Sequence, residues 1–286
     1  MSDLNVNTLT AAVLARMTQE VTPRFREIMT ALVQHLHDFT REVALTEAEW
    51  LAAIDFLTRT GKNCSETRQE FILLSDTLGL SSLVIAVNHP ATEGSLESSV
   101  LGPFYVPAMP DYPSGSDLAV GVAGTPTLYR GMVSDTAGRP LAGAALDIWS
   151  SDGEGWYDVQ RPGPLVPAAR GRVRAGADGR YAFWSIKPAD YPVPTDGPVG
   201  EMLRALGRAS MRPGHLHFIA SAPGAETVTT QIFAADSPHL HSDAVFGVSD
   251  GLIATFHPHG PGVAPDGRHL DQPFCTVDYD LRLRPV

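Results

Sequence analysis

All but one of the 23 prolines in this 286-residue chain lie from Pro90 onward. Proline removes a backbone donor and clashes with the preceding helical turn, so a proline-dense segment cannot be built from long helices. From about Ala91, prolines and Gly-rich turns punctuate short β-type runs: Leu128 to Val133, Ala144 to Trp149, Arg180 to Ile186, His215 to Ala220, Val228 to Phe233 and Thr276 to Leu283. Asp178-Gly179, between Arg172-Val173-Arg174 and Tyr181-Ala182-Phe183, reads as a hairpin turn. Many short strands without interleaved helices predict a mainly β fold, a sandwich or barrel rather than βαβ units.

The first 95 residues or so have the opposite character. Phe25, Ile28, Met29, Leu32, Val33, Leu36 and Phe39 recur at three/four spacing and form one apolar helical stripe. Thr46-Glu47-Ala48-Glu49 is a capping-box pattern opening a helix with Trp50, Leu51, Ile54 and Leu57, which Gly61 is expected to stop. Further helices are expected around Phe71 to Leu74 and from Ser81 to Val87. The predicted organisation is a helical region over 1–95 and a β domain over 96–286.

The formal charge of −11 makes nucleic acid an improbable partner. No apolar run reaches the roughly 18–20 residues needed to span a bilayer. The first residues lack the basic and apolar regions of a signal peptide. Cys64 and Cys275 are the only cysteines, which excludes a disulfide framework and a thiolate metal cluster. A cytoplasmic protein is the expectation.

Chemistry enters with the histidines. Arg212-Pro213-Gly214-His215-Leu216-His217-Phe218 reads as a strand on which both imidazoles project to one face, a common way of holding one side of a metal ion. Three other pairs share the spacing. His35 and His37 lie on a helix, where residues two apart diverge. His239/His241 and His257/His259 sit among Pro, Ser, Asp and Gly, where a loop or surface histidine is the simpler reading. The 215/217 pair alone has apolar neighbours on its strand.

A metal shell needs further ligands. Glu201 follows a Gly-Pro loop, and Asp147 is on an alternating strand with no evident partner. Tyr157 lies in Ser151-Asp152-Gly153-Glu154-Gly155-Trp156-Tyr157-Asp158, and Tyr191 in a stretch stiffened by Pro188, Pro192, Pro194 and Pro198. Taken alone, both are ordinary aromatics. A cupin-type centre using the two histidines and a carboxylate, or a non-catalytic β-sandwich binding module, stays open on these residues.

In combination the motifs are more specific. Gly155-Trp156-Tyr157-Asp158, Asp190-Tyr191-Pro192-Val193-Pro194 and Arg212-Pro213-Gly214-His215-Leu216-His217 resemble the intradiol ring-cleavage dioxygenases. So do Val100-Leu101-Gly102-Pro103-Phe104-Tyr105, Gly143-Ala144-Ala145-Leu146-Asp147-Ile148-Trp149 and Asp243-Ala244-Val245-Phe246-Gly247-Val248, in the same order from about residue 46 to the end. The resemblance implies an antiparallel β-sandwich catalytic domain behind an α-helical N-terminal dimerisation domain. It also implies a homodimer, with phospholipid as a candidate guest at the interface. It implies one Fe(III) per subunit held by Tyr157, Tyr191, His215 and His217. Hard anionic tyrosinate favours the ferric state, and the ion in turn lowers the phenol pKa.

The same resemblance makes Tyr191 the ligand that takes a substrate proton, Arg212 the charge that stabilises the attacked ring, and Gln231 the residue that orients Arg212 or a metal ligand. Carried-over pocket residues are Leu73, Asp76, Val100, Gly102, Pro103, Phe104, Val193, Pro194 and Val245. An acidic Asp76 suits a third ring hydroxyl and points to hydroxyquinol (benzene-1,2,4-triol), cleaved with O2 to 3-hydroxy-cis,cis-muconate, the tautomer of maleylacetate. Catechol or a chlorocatechol is the alternative. Gly214 and Leu101 depart from the family's usual alanine and phenylalanine.

Overall fold

A computed structural model describes residues 4–65, 68–90, 92–107 and 109–286; Ala91, where the composition shifts, lies outside them. The chain divides into two compact units, Met1–Arg59 and Thr60–Val286.

In the first unit, α1 (Leu9–Leu14) precedes α2 (Pro23–Glu42), and α3 (Glu47–Lys62) runs from there into the second. The predicted capping box opens α3: Thr46 N donates to Glu49 Oε2 at 2.9 Å, and Glu49 N donates back to Thr46 Oγ1 at 3.3 Å. Gly61 does not stop this helix, which continues to Lys62. The stripe predicted on α2 is real but uncovered, with Phe25, Ile28, Leu32, Leu36 and Phe39 all exposed, as are Trp50, Leu51, Ile54 and Leu57 on α3.

The second unit adds α4 (Glu70–Thr77), α5 (Leu80–Asn88) and, later in the chain, α6 (Pro198–Ala205). Among the described residues no single helix is long and apolar enough to cross a membrane. The strands follow: β1 (Asp111–Tyr112), β2 (Pro126–Asp135), β3 (Ala145–Ser150), β4 (Arg170–Arg174), β5 (Arg180–Ile186), β6 (Tyr191–Pro192) and β7 (Met211–Arg212). Then come β8 (His215–Ser221), β9 (Val228–Ala234), β10 (Ile253–Ala254), β11 (His257–His259), β12 (Gly262–Val263), β13 (His269–Leu270), β14 (Phe274–Asp278) and β15 (Leu281–Leu283).

One sheet has the order β1-β4-β3-β8-β9-β10; in the other, β2 joins β5 on one side to β14 and β15 on the other, with β11 beyond β14. Inward residues from both, including Leu146, Ile148, Leu216, Phe218 and Ile232 from the first and Tyr129, Phe183, Val277 and Leu281 from the second, form one buried core.

The expected purely antiparallel pairing does not hold. The pairs β1/β4, β9/β10, β2/β14 and β2/β15 are parallel, so both sheets are mixed. Each parallel pair joins strands separated by a long excursion of chain, whereas local turn signals report only sequence neighbours. The predicted hairpin fails for a related reason: β4 and β5 belong to different sheets, and the Asp178-Gly179 turn carries the chain between them. It is tied to β2 instead, through Val133 N donating to the Gly179 carbonyl at 2.8 Å.

Period-two alternation determines what the first sheet offers on its far side. With Leu216 and Phe218 turned into the core, His215 and His217 point away from it. Across the ladder His217 sits opposite Trp149 of β3 and Gln231 of β9, and His215 opposite Phe233. These side chains are buried too, so β8 lies between two packed layers.

Candidate active site

His215 and His217 are 0% and 1% exposed, with Nε2 atoms 3.2 Å apart. Two loops complete the cluster. Tyr157 precedes a 3-10 turn over Asp158–Gln160 and is fixed there by its N–H donating to Gln160 Oε1 at 2.9 Å. The Asp152 carboxylate shapes the approach by accepting from Glu154 N and Trp156 N, both at 2.9 Å. Beyond it, Asp158 and Arg170 form a two-pronged ion pair (2.7 and 2.6 Å) with both side chains 1% exposed. Arg170 also donates to the Phe104 carbonyl at 2.8 Å, and the Phe104 ring packs 4.4 Å from that of Tyr157.

Tyr191 is delivered by β6, which pairs with β7 so that Tyr191 faces Arg212 in register. The preceding Asp190 accepts from Gly214 N at 2.6 Å and Ser237 Oγ at 2.8 Å, tying the tyrosine segment to the backbone just before His215. Gly214 permits this approach: a Cβ there would stand 2.3 Å from the Pro188 carbonyl oxygen. That gives the departure from alanine a steric reason in this chain. Leu101, the other departure, is exposed.

The tyrosine and histidine atoms converge. Tyr157 Oη lies 3.4 Å from Tyr191 Oη, 3.3 Å from His215 Nε2 and 3.2 Å from His217 Nε2. Tyr157 has a single proton to share among these three neighbours. His215 adds none, because its Nδ1, 2.7 Å from the Pro213 carbonyl, must carry the proton, which leaves Nε2 an acceptor that also lies 3.0 Å from Arg212 Nη1. Donors bound tetrahedrally at about 2.0–2.1 Å to one ion stand about 3.3 Å from one another, the spacing found here. The convergence of two phenol oxygens and two imidazole nitrogens at that spacing fits a shared cation. Among the described residues no group of three or more His, Cys, Asp or Glu could hold a metal, so the phenols are needed to build a shell.

Protonation states agree with that use. Burial, reinforced by the Arg212 charge, lowers the His215 pKa to about 3, and burial with His215 and Arg212 pushes His217 well below its usual value. Both are therefore neutral imidazoles. Burial and the neighbouring Tyr191 push the Tyr157 phenol well above 10, so without a cation it stays protonated.

Arg212 is 4% exposed and reaches His215 Nε2 with Nη1 at 3.0 Å. Burial opposes its charge, and Asp243 is the main group that sustains it. Asp243 Oδ1 accepts from Arg212 Nε at 3.0 Å, while Gln231 Oε1 accepts from Nη2 at 2.9 Å. Of the two partners expected for Gln231, its side-chain oxygen contacts Arg212. Asp243 is the residue that sequence reasoning missed; its only signal is its place in the Asp243-to-Val248 motif. Asp147, read as unpartnered, in fact makes a two-pronged pair with Arg172.

Of the carried-over pocket residues, Val100, Val193 and Val245 share one buried cluster with Leu73 against it. Asp76 is 6% exposed on α4, its pKa raised chiefly by burial. Pro103 is exposed and Pro194 half-buried, each adjoining a pocket residue in sequence. The other histidine pairs stay apart: His37 bonds Thr10, and His257 and His259 lie on the surface, on strand β11.

Comparison with known proteins agrees with this geometry. The chain matches the family described as "Dioxygenase" over residues 102–285 and "Catechol dioxygenase N terminus" over 22–95. It is 51% identical to the 6-chlorohydroxyquinol 1,2-dioxygenase of Cupriavidus pinatubonensis, covering 100% of both chains. It is 46% identical to the hydroxyquinol 1,2-dioxygenase of Nocardioides simplex, over 97% of this chain and 95% of that one. The crystal structure of hydroxyquinol 1,2-dioxygenase from Pseudomonas putida DLL-E4 superposes with a TM-score of 0.91 at 42% identity, covering 98% of this chain and 99% of that one. The chain belongs to the intradiol ring-cleavage dioxygenase family.

Proposed function

We propose that this enzyme cleaves hydroxyquinol between its 1,2-hydroxyls with O2, giving 3-hydroxy-cis,cis-muconate, the tautomer of maleylacetate. The observation that carries the reading is the convergence of Tyr157, Tyr191, His215 and His217 beside a buried arginine, in a chain whose relatives bear that activity. These four side chains would hold one Fe(III) per subunit. When bound, the ion supplies the Lewis acidity that draws electron density from a catecholate ring.

The chain's own groups do the rest. Tyr191 Oη, ionised to the tyrosinate when the ion is held, would take a proton from a substrate hydroxyl and become the neutral phenol, a base held by the β6/β7 pair. Arg212 keeps a fixed positive charge beside the reacting ring, aimed by Asp243 and Gln231, so no reorganisation is needed when charge develops there. Val100, Val193, Val245 and Leu73 give an apolar wall that excludes water, with Gly102, Pro103, Phe104 and Pro194 completing the pocket. Asp76, which Ser81 already hydrogen-bonds, accepts the third hydroxyl, whose absence in catechol would deprive a buried carboxylate of that partner. We also assign residues 1–95 to a helical dimerisation domain and 96–286 to a catalytic β-sandwich. The uncovered stripes of α2 and α3 support a homodimer in which phospholipid could fill remaining apolar space. We also propose a cytoplasmic location.

The 51% identity to a 6-chlorohydroxyquinol 1,2-dioxygenase favours a second reading, a pocket that accepts a chlorinated triol. Oxygen uptake with hydroxyquinol, 6-chlorohydroxyquinol, catechol and 4-chlorocatechol separates these. A triol is expected to turn over fastest; faster catechol turnover overturns the substrate, and no uptake with any diol overturns the reaction. The metal assignment predicts a wine-red charge-transfer band that Tyr157→Phe alters, together with loss of iron.

A further inference from the structure

The two histidines of the cluster are held by different means. His215 has the usual support, an Nδ1–H donated to the Pro213 carbonyl at 2.7 Å, which fixes both tautomer and ring plane. His217 has no such support. Its Nδ1 is buried and, among the described residues, has no hydrogen-bond partner. Metal-bound histidines almost always have one, because a ring free to rotate is a poor ligand.

What His217 has instead is an aromatic face. The Trp149 indole lies against it with ring centroids 4.6 Å apart and planes only 10° from parallel. The ladder enforces the pairing, because Trp149 and His217 are direct partners on β3 and β8. Trp149 is itself 0% exposed and braced behind by Tyr105, whose ring centre is 5.1 Å away. Gly102, at φ +73°, completes the slot: a Cβ there would lie 3.2 Å from His217 Cε1.

The indole N–H is also buried without a partner among the described residues. An orphaned donor costs stability, so the tryptophan's place here is not explained by packing alone. We propose that Trp149 is the positioning residue of His217: its stacked indole fixes the imidazole plane in the way that the Pro213 carbonyl fixes His215. The proposal rests on the reading above that His217 binds the metal.

The test uses the enzyme as purified with its iron and compares wild type, Trp149→Phe, Trp149→Met and Ile148→Val. Ile148 is the neighbouring residue on the core face and serves as a packing control. Iron release to a chelator, the visible band and the melting temperature of the metal-free protein are measured for each. Trp149→Met, ringless and flexible, is expected to release iron about tenfold faster or more, with an altered band. Trp149→Phe keeps a smaller face and is expected to quicken release about threefold. Ile148→Val should lower the melting temperature and leave release unchanged.

Wild-type release from Trp149→Met overturns the proposal. So does faster release from Ile148→Val that matches Trp149→Met for equal loss of melting temperature. If Trp149→Met does not fold, Trp149→Phe decides: release at the wild-type rate overturns the assignment. Wild-type protein with no band and no iron would instead sink the metal reading itself, which keeps the two failures distinct.

Discussion

His215-Leu216-His217 and His257-Pro258-His259 share one spacing, and both are β-strands. The first lies on β8, flanked by β3 and β9 inside the larger sheet; the second lies on β11, which pairs with β14 alone. All three residues of β11 are exposed, and a proline between the histidines is tolerable on such an edge. His259 stacks on Phe274 at 4.8 Å and meets Thr276 Oγ1 at 2.9 Å, so its ring is occupied with its own sheet. Over β8, by contrast, two tyrosine segments form a roof. The spacing puts two imidazoles on one face, but only the roof makes them a site.

That roof depends on buried charge, and the most damaging change should strike there. Asp158→Ala leaves Arg170 charged, buried and unpaired, which costs roughly 3–5 kcal/mol. It also frees the segment that presents Tyr157, so iron should be lost along with stability. Denaturant unfolding and iron content together check this. Adding Arg170→Met should recover part of the stability, because the stranded charge is gone. A cost below about 1 kcal/mol for Asp158→Ala would mean that the pair does not hold the roof.

Acid should then distinguish the strands thermodynamically. His215 has a folded pKa of about 3 against 6.5 for the free side chain, and His217 is displaced in the same direction, both first through burial. Below pH 6.5 the unfolded chain therefore binds protons that the folded chain refuses. Stability is intact above that value and falls as pH drops toward 3. The slope for each histidine reaches about 1.4 kcal/mol per pH unit. Glu49 and Asp243, with depressed values, add to the loss only below their free values of 4.5 and 3.8, whereas Asp76, raised by burial, acts in the opposite sense. Melting of the metal-free protein between pH 7 and 5 should thus show the slope, and His215→Asn with His217→Asn should flatten it.

Much of this contrast is legible in the residues. The apolar Leu216, Phe218 and Ala220 announce a buried strand, and period two places the imidazoles opposite them. Thr46 and Glu49 announce their own cap. The order of the Tyr157, Tyr191 and Arg212 motifs points through family resemblance to the proposed ligand set, which no spacing rule could supply. What stays hidden is pairing at a distance. Nothing near Asp147 or Asp158 names Arg172 or Arg170 as partner, and nothing near Asp243 names Arg212. Local pattern gives the face of a strand but not its neighbour, so parallel pairs such as β2/β14 and the sheet-crossing turn at Gly179 were also out of reach.

The smallest effect should come from the strand that lacks a roof. Replacing His257 and His259 together with alanine removes the stack on Phe274 and the contact with Thr276, both at an exposed edge. An aromatic pair contributes about 0.5–1.5 kcal/mol when buried, and exposure puts the expected loss near the lower end. Iron content, the visible band and oxygen uptake should match wild type, because neither histidine faces a second ligand. The informative comparison is with Phe274→Leu, which removes the same stack from its buried side and should cost more stability while leaving iron untouched. Loss of iron from His257→Ala/His259→Ala would break the contrast between the two strands, since it would make an uncovered pair part of the metal site.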